Sequence, residues 1–267
     1  MKPADKIATF RRLHESGCFV IPNPWDIMSA KYLQHLGFKA LASTSAGFAW
    51  AIGRADNHVT LEEKLAHLRA LNAEIDLPLN ADFECGFADA PEAVAKNVTL
   101  AVHTGIAGLS IEDSTGETDE PLFDFALAVD RIKAARAAID KTGSGVVLTA
   151  RSEGFITGRP DRAETIKRLK AFIAVGADCV FAPGLKDDLA GYVADVAPTP
   201  INFNVGRGPY NVADLTAVGM RRISVGGSLA AAAYGEFMRV AQEIAEQGTF
   251  TGFGRAPSGG DINKIFL

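Results

Sequence analysis

Residues 105–113 read GIAGLSIED: a glycine, a short apolar run, then two acids. A glycine at the end of an amphipathic segment can take the left-handed conformation that closes a helix. An apolar strand starting within about three residues of it is a usual helix-to-strand spacing. The same order recurs at Gly37 before FKALAST, Gly176 before ADCVFAPG and Gly219 before MRRISVGG. Counting by that rule predicts eight strands, near residues 19–22, 40–43, 79–82, 108–112, 146–150, 179–182, 201–204 and 222–225. Between them, Leu122, Phe125, Val129, Ile132, Ala135 and Ile139 recur at spacings of three and four, as do Ile166, Leu169 and Ile173, each set making one apolar helix stripe. Pro91 and Pro160 stand where helices begin. The strands read as nearly all apolar, as parallel strands covered on both faces require. Eight such units close into a (β/α)8 TIM-type barrel. The competing arrangement, an open doubly wound sheet, calls for a GxGxxG turn after its first strand, and PNPWD (residues 22–26) stands there instead.

Nothing across the 267 residues looks like a linker, so one barrel domain spanning 1–267 is expected. The net charge of −5, with no clustered basic surface, argues against a nucleic-acid partner, which would need cations for its phosphates. Residues 1–17 lack the apolar run of a signal peptide, and no stretch of about 18 apolar residues could span a bilayer. A cytoplasmic protein with no membrane partner, acting on small molecules, is the expectation. Cys18, Cys85 and Cys179 form no CxxC pair, so neither a disulfide framework nor a zinc site is indicated. After the eighth strand, a tail over 248–267 carries Ile262, Ile265, Phe266 and Leu267 beyond a Gly/Ser stretch. Such a tail either packs on a neighbouring subunit or folds back on its own barrel.

In a parallel barrel, ligands sit at the carboxyl ends of the strands. Alternation along LNADFECG (79–86) aims Asn80, Asp82 and Glu84 the same way. Glu112, Asp113, Arg151, Glu153, Asn204 and Arg207 end neighbouring strands or follow them, with Trp25, Asp26, Thr44 and Ser45 across the mouth. Oxygen donors of this kind suit a hard cation such as Mg²⁺. No histidine falls at a predicted strand end, which disfavours an imidazole-ligated metal. Asp26, before MSAKYL, reads first as a helix cap. Asp82 and Glu112 on adjacent strands would repel one another unless a cation or an arginine lay between them, and a metal is preferred to capping. Arg151 would be costly half-buried without an anion. A substrate carboxylate suits its planar fork, and Glu112 is the alternative partner. Gly226-Gly227-Ser228 is either a phosphate cradle or a simple turn.

Together these residues resemble the isocitrate lyase/phosphoenolpyruvate mutase superfamily over about residues 23–227. The resemblance is carried by WDIMSAKYLQHLGFKALASTSAG (25–47), GRADN (53–57), NADFECGF (80–87), GIAGLSIED (105–113) and LTARSE (148–153). It implies a (β/α)8 barrel, a dimer or a tetramer with exchanged C-terminal helices, and a Mg²⁺ cofactor beside a 2-oxo acid or its enolate. It further implies that Asp82 and Glu112 hold Mg²⁺ through waters, that Asp56 joins this shell, and that Asn80 occupies the place of a direct metal carboxylate. Thr44, Ser45 and Ala46 would present hydroxyl and N–H groups to the substrate's carboxylate and oxyanion, Arg151 would bind its opposite side, and Asn204 matches a substrate amide; Trp25 joins this pocket by position. Two departures stand out. Asn80 replaces an aspartate, removing a charge that Glu84 could restore. Residues 113–121, DSTGETDEP, lack the cysteine, lysine and histidine of the KKCGH-like lyase segment, and the mutase gating loop is not visible. The expectation is a Mg²⁺-dependent lyase or decarboxylase that breaks a C–C bond of a small di- or tricarboxylic 2-oxo or 2-hydroxy acid through an enolate. Its rivals are C–P chemistry, as phosphoenolpyruvate mutase or phosphonopyruvate hydrolase, and a 2-oxo acid binding protein without turnover.

Overall fold

The computed structural model describes residues 1–206 and 208–267, so Arg207 lies outside the described residues. Eight strands are present: β1 (Phe19–Ile21), β2 (Leu41–Ala42), β3 (Leu79–Asp82), β4 (Gly108–Glu112), β5 (Val147–Arg151), β6 (Cys179–Phe181), β7 (Ile201–Asn204) and β8 (Arg222–Ser224). Every ladder is parallel, in the order β1-β8-β7-β6-β5-β4-β3-β2. The seam between β1 and β2 is joined by the Ala42 N–H donating to Pro22 O at 3.1 Å. Asn23 stitches the same seam: its Oδ1 accepts from the N–H groups of Val225 and Gly226, both at 2.9 Å, and its Nδ2 donates to Ser43 O at 3.1 Å. The sheet is therefore a (β/α)8 barrel, and PNPWD is part of its closure.

Helices α1 (Pro3–Glu15), α2 (Ile27–His35), α3 (Ser45–Ala51), α4 (Leu61–Glu74), α5 (Pro91–Val102), α6 (Phe125–Thr142), α7 (Arg162–Ala174), α8 (Leu189–Val196), α9 (Val212–Ala217) and α10 (Ser228–Gln247) surround it, followed by a 3₁₀ turn (Thr251–Arg255) and α11 (Gly259–Lys264). Gly37, Gly105, Gly176 and Gly219 all have positive φ, between 83° and 106°, as the repeat requires. The short α3 begins at Ser45, with the Thr44 hydroxyl accepting from the Gly47 N–H. None of the helices among the described residues is long and apolar enough to cross a membrane.

The strands are not apolar throughout, which corrects the reading from sequence. Ile201 and Phe203 of β7 and Ile223 of β8 pack into the hydrophobic core beneath the helices. Their alternates Asn202, Asn204, Arg222 and Ser224 line a cavity inside the barrel, as do Asn80 and Asp82 of β3. Side chains alternate across a strand, so one face serves the helix layer and the other the ligand space.

At the amino-terminal end of the strands, α1 stops the barrel. Phe10 is fully buried, and its ring sits where a Cβ on Gly108 would fall 2.5 Å from it. Lys6 donates to Ile75 O at 2.7 Å and to Asn72 O at 3.0 Å, and Arg11 Nε donates to Gly145 O at 2.6 Å. At the other end of the chain, only Ala230 of α10 is buried, while Phe237 and Met238 are 68% and 64% exposed. The tail turns back along α10, with Thr251 and Gly252 donating to the Glu243 carboxylate. It then places Ile262 and Ile265 across a shallow cavity from Met28 and Tyr32 of α2.

Candidate active site

Asp82, Glu112 and Arg151 end β3, β4 and β5, and the ladder sets Glu112 directly beside Arg151. The guanidinium lies among three carboxylates: Nη1 is 2.7 Å from Asp82 Oδ1, Nη2 is 3.2 Å from Glu112 Oε2, and Nε is 2.9 Å from Glu153 Oε1. Glu112, the protein partner expected for Arg151, is thus one of three carboxylates that it meets. Asp82 also accepts from the Ser45 N–H at 2.9 Å. Burial alone would raise the Asp82 pKa, but Arg151, Lys64 and the Ser45 N–H hold it below the usual carboxylate range. Burial pushes Glu112 well above that range, Arg151 offsetting only part of the effect, and it raises Glu153 for the same reason.

Two further acids adjoin this group. Asp56 is raised by burial and by the Asp82 charge, against a hydrogen bond from the Ser45 side chain. Glu84 is pushed up to about 7 by burial, with Lys64 opposing and Asp82 and Asp56 adding. Lys64 Nζ, fully buried, is 3.8 Å from Glu84 Oε1. Glu84 reaches this place because the segment after β3 turns sharply: Glu84, Gly86 and Phe87 all have positive φ. Arg131 of α6 clamps the turn by donating to the carbonyls of Cys85, Ala88 and Asp89, and Asn97 Nδ2 donates to Gly86 O at 3.0 Å. Neither Lys64 nor Arg131 was foreseen. Each interrupts an apolar stripe, Lys64 between Leu61 and Leu68 and Arg131 beside Ala128 and Ile132. A lone cation at a buried helix position is the signal that could have found them.

Asp56, Asp82 and Arg151 border a cavity of about 180 Å³, lined also by Thr44, Ser45, Ala46, Asn80 and Asn204. These sequence-predicted residues are brought together. Glu112 reaches the site through Arg151 and is not in the lining. Trp25 stands apart, its ring 6.2 Å from that of Tyr234 and its carbonyl 3.0 Å from His67 Nε2. Asp26 caps α2, its Oδ1 accepting from the Ser29 N–H at 2.7 Å. Asp113 turns away from the mouth and accepts from the Glu153 N–H, Ser152 Oγ and Arg168. Gly226 and Gly227 line the cavity, and a Cβ on Gly226 would meet Asn204 Nδ2 at 2.9 Å. The Ser45 N–H is committed to Asp82. That of Ala46, second in α3, is one of the donors a helix start leaves without an intrahelical partner.

The donor set fits a hydrated divalent cation. Five carboxylates, Asp56, Asp82, Glu84, Glu112 and Glu153, face two cations, Arg151 and Lys64; burial first, and the neighbouring negative charges after it, raise all of them but Asp82. Asn80 lines the cavity, and its Oδ1, buried on the Gly108 side, has no hydrogen-bond partner. Among the described residues no three His, Cys, Asp or Glu side chains are grouped closely enough to hold an ion directly. Waters would complete the shell, as Mg²⁺ prefers. Beyond β4, residues 113–121 fold as a small hairpin, Ser114 bridging Leu122 and the Thr115 N–H donating to Pro121 O at 3.0 Å.

Comparison with known proteins places this geometry in context. Residues 10–245 match the family described as phosphoenolpyruvate phosphomutase. The crystal structure of a candidate lyase/mutase from Burkholderia cenocepacia J2315 superimposes with a TM-score of 0.96 at 42% identity, over 99% of this chain and 96% of that one. The 2-methylisocitrate lyase of Escherichia coli (strain K12) is 32% identical over 64% of this chain and 60% of its own length. The oxaloacetate decarboxylase of Marinomonas sp. (strain MWYL1) is 31% identical over 67% of this chain and 63% of its own. The chain belongs to the phosphoenolpyruvate phosphomutase family, and with it to the lyases and mutases of the isocitrate lyase/phosphoenolpyruvate mutase superfamily.

Proposed function

We propose that the protein is a Mg²⁺-dependent carbon–carbon lyase or decarboxylase of a small 2-oxo or 2-hydroxy di- or tricarboxylic acid, working through an enolate. The observation that carries this reading is the surplus of carboxylates around Arg151, beside a small polar cavity that Asp56, Asn80, Asp82 and Arg151 line. Asp56, Asp82 and Glu112, through waters, with Asn80 would hold Mg²⁺, which supplies positive charge to the ketone oxygen of a 2-oxo acid. The chain's own groups orient the substrate. The Ala46 N–H and the Thr44 hydroxyl offer donors to its carboxylate and developing oxyanion, with Ser45, whose side chain bonds Asp56, between them, and Asn204 offers an amide from the far wall. Donors fixed in advance stabilise the charge with little reorganisation. In a 2-oxo diacid the C3–C4 bond breaks, C4 leaves as CO₂, the electron pair of that bond forms the enolate over C2 and C3, and C3 then takes a proton from solvent to give the 2-oxo acid product. Arg151 keeps Asp82 ionised and in place throughout.

Two of the named relatives, 2-methylisocitrate lyase and oxaloacetate decarboxylase, break carbon–carbon bonds, which supports the reading. Carbon–phosphorus chemistry is the rival, in keeping with the name of the matched family. The segment after β4, residues 114–121, holds Glu117, Asp119 and Glu120 and no Lys, Arg or His to pair with a phosphonate. Purified protein with Mg²⁺ should release pyruvate, glyoxylate or CO₂ from a panel of such acids and stop when EDTA is added. Absence of any such product, with conversion of phosphonopyruvate seen by phosphorus NMR, would transfer the assignment to the rival.

A further inference from the structure

Two arginines line the cavity, and their surroundings differ in kind. Arg151 at the rim is met by three carboxylates and has no spare positive charge. Arg222, the first residue of β8, is 3% exposed and has only neutral partners. Its Nε donates to Asn202 Oδ1 at 2.8 Å, its Nη2 donates to Thr149 Oγ1 at 3.1 Å, and its Nη1 faces His14 Nε2 at 3.4 Å. His14 is neutral there: its Nδ1 is 2.8 Å from Phe10 O, and burial together with the Arg222 charge lowers its pKa to about 3. Three of the five guanidinium donors are thus engaged, and no carboxylate among the described residues is within 4.0 Å. A buried charge without a counter-charge is expensive. The space above Arg222 is polar, walled by Ser110, Asn202 and Ser224.

We propose that Arg222 is the anion site of this cavity: it takes a carboxylate of the substrate at the barrel floor, so that the substrate is dicarboxylic and spans from floor to rim. The inference rests on the lyase reading for what the rim does, and it assigns the discrimination between mono- and dicarboxylates to a residue outside the acid cluster. A cavity of about 180 Å³ admits a chain of only a few carbons.

The test is binding, not turnover, with malonate and succinate against acetate, propionate and pyruvate, followed by calorimetry and thermal shift. Wild-type protein should bind a diacid about 100-fold more tightly than the matching monoacid, in line with a desolvated charge pair. Arg222→Met should erase that ratio, and Arg222→Lys should keep part of it. Asn202→Asp, which keeps the side chain's shape, puts a carboxylate against Nε and neutralises Arg222 from within; it should erase the ratio too, and serves if Arg222→Met does not fold. Folded Asn202→Asp protein that retains the wild-type ratio overturns the floor site. If wild-type protein binds pyruvate and the diacids alike, and the variants change neither, the floor site falls while the lyase reading stands. If it binds none of these acids, with Mg²⁺ present, both fall.

Discussion

Arg151 shows how much can rest on one side chain. Three carboxylates at least five-sixths buried surround its guanidinium, so replacing it strands negative charge where water is scarce. Arg151→Met should cost about 3–5 kcal/mol of unfolding free energy at pH 8, read from urea denaturation, and the deficit should shrink at pH 5 as the stranded carboxyls take up protons. A deficit under about 1 kcal/mol at pH 8 would mean that the three acids do not depend on this arginine. At this scale the sequence was informative where chemistry coincides with the end of a strand. Asp82, Glu112 and Arg151 were legible because alternation and the carboxyl-end rule place them together. Lys64 and Arg131 show only as lone cations within apolar helix stripes, and Arg222 not at all, because a strand start gives no local sign that a long cationic side chain turns inward.

The strands and their connections were the most legible elements. A glycine-closed helix followed by an apolar run is local chemistry, and all eight strands lie within about a residue of their predicted places. The alternation inside them was missed because three-residue runs such as Arg222–Ser224 are too short for a period to stand out. Closure was not legible either, since it depends on Asn23 reaching residues more than 200 positions away. Asn23→Leu leaves two backbone N–H groups and the Ser43 carbonyl without their partner, each worth about 1–3 kcal/mol when buried. A loss of roughly 2–4 kcal/mol is expected by urea titration, with faster amide exchange at Val225 and Gly226. Unchanged exchange at both amides would show that the seam is held by its ladders alone.

For the molecule as a whole, acid should weaken the fold in part through two imidazoles. Burial lowers the pKa of His14 and His67 to about 3, His14 also by Arg222 and His67 by Lys64. An unfolded chain binds their protons near pH 6.5 and the folded one does not. Their contribution is therefore complete above that value and is lost as pH falls from about 6.5 toward 3, by up to about 1.4 kcal/mol per pH unit for each. Glu84, raised to about 7, acts with the opposite sign between about 4.5 and 7, so the measurement is a difference: the His14→Gln, His67→Gln double variant should lose less stability than wild type between pH 7 and pH 5. Parallel curves would remove both rings from the account. The tail was left with two readings because composition shows that a segment is apolar and not what it will touch; here Ile262 and Ile265 lie near α2. The stopper at the foot of the barrel has a further consequence. Residues of α1 are fastened at Ile75, Gly145 and Arg222, so on the ribosome this helix emerges ahead of all three and has no finished berth until the eighth strand has been made. Synthesis and assembly thus run in opposite order at this point, and until Gly108 appears the newborn chain carries Phe10 without the strand it packs on.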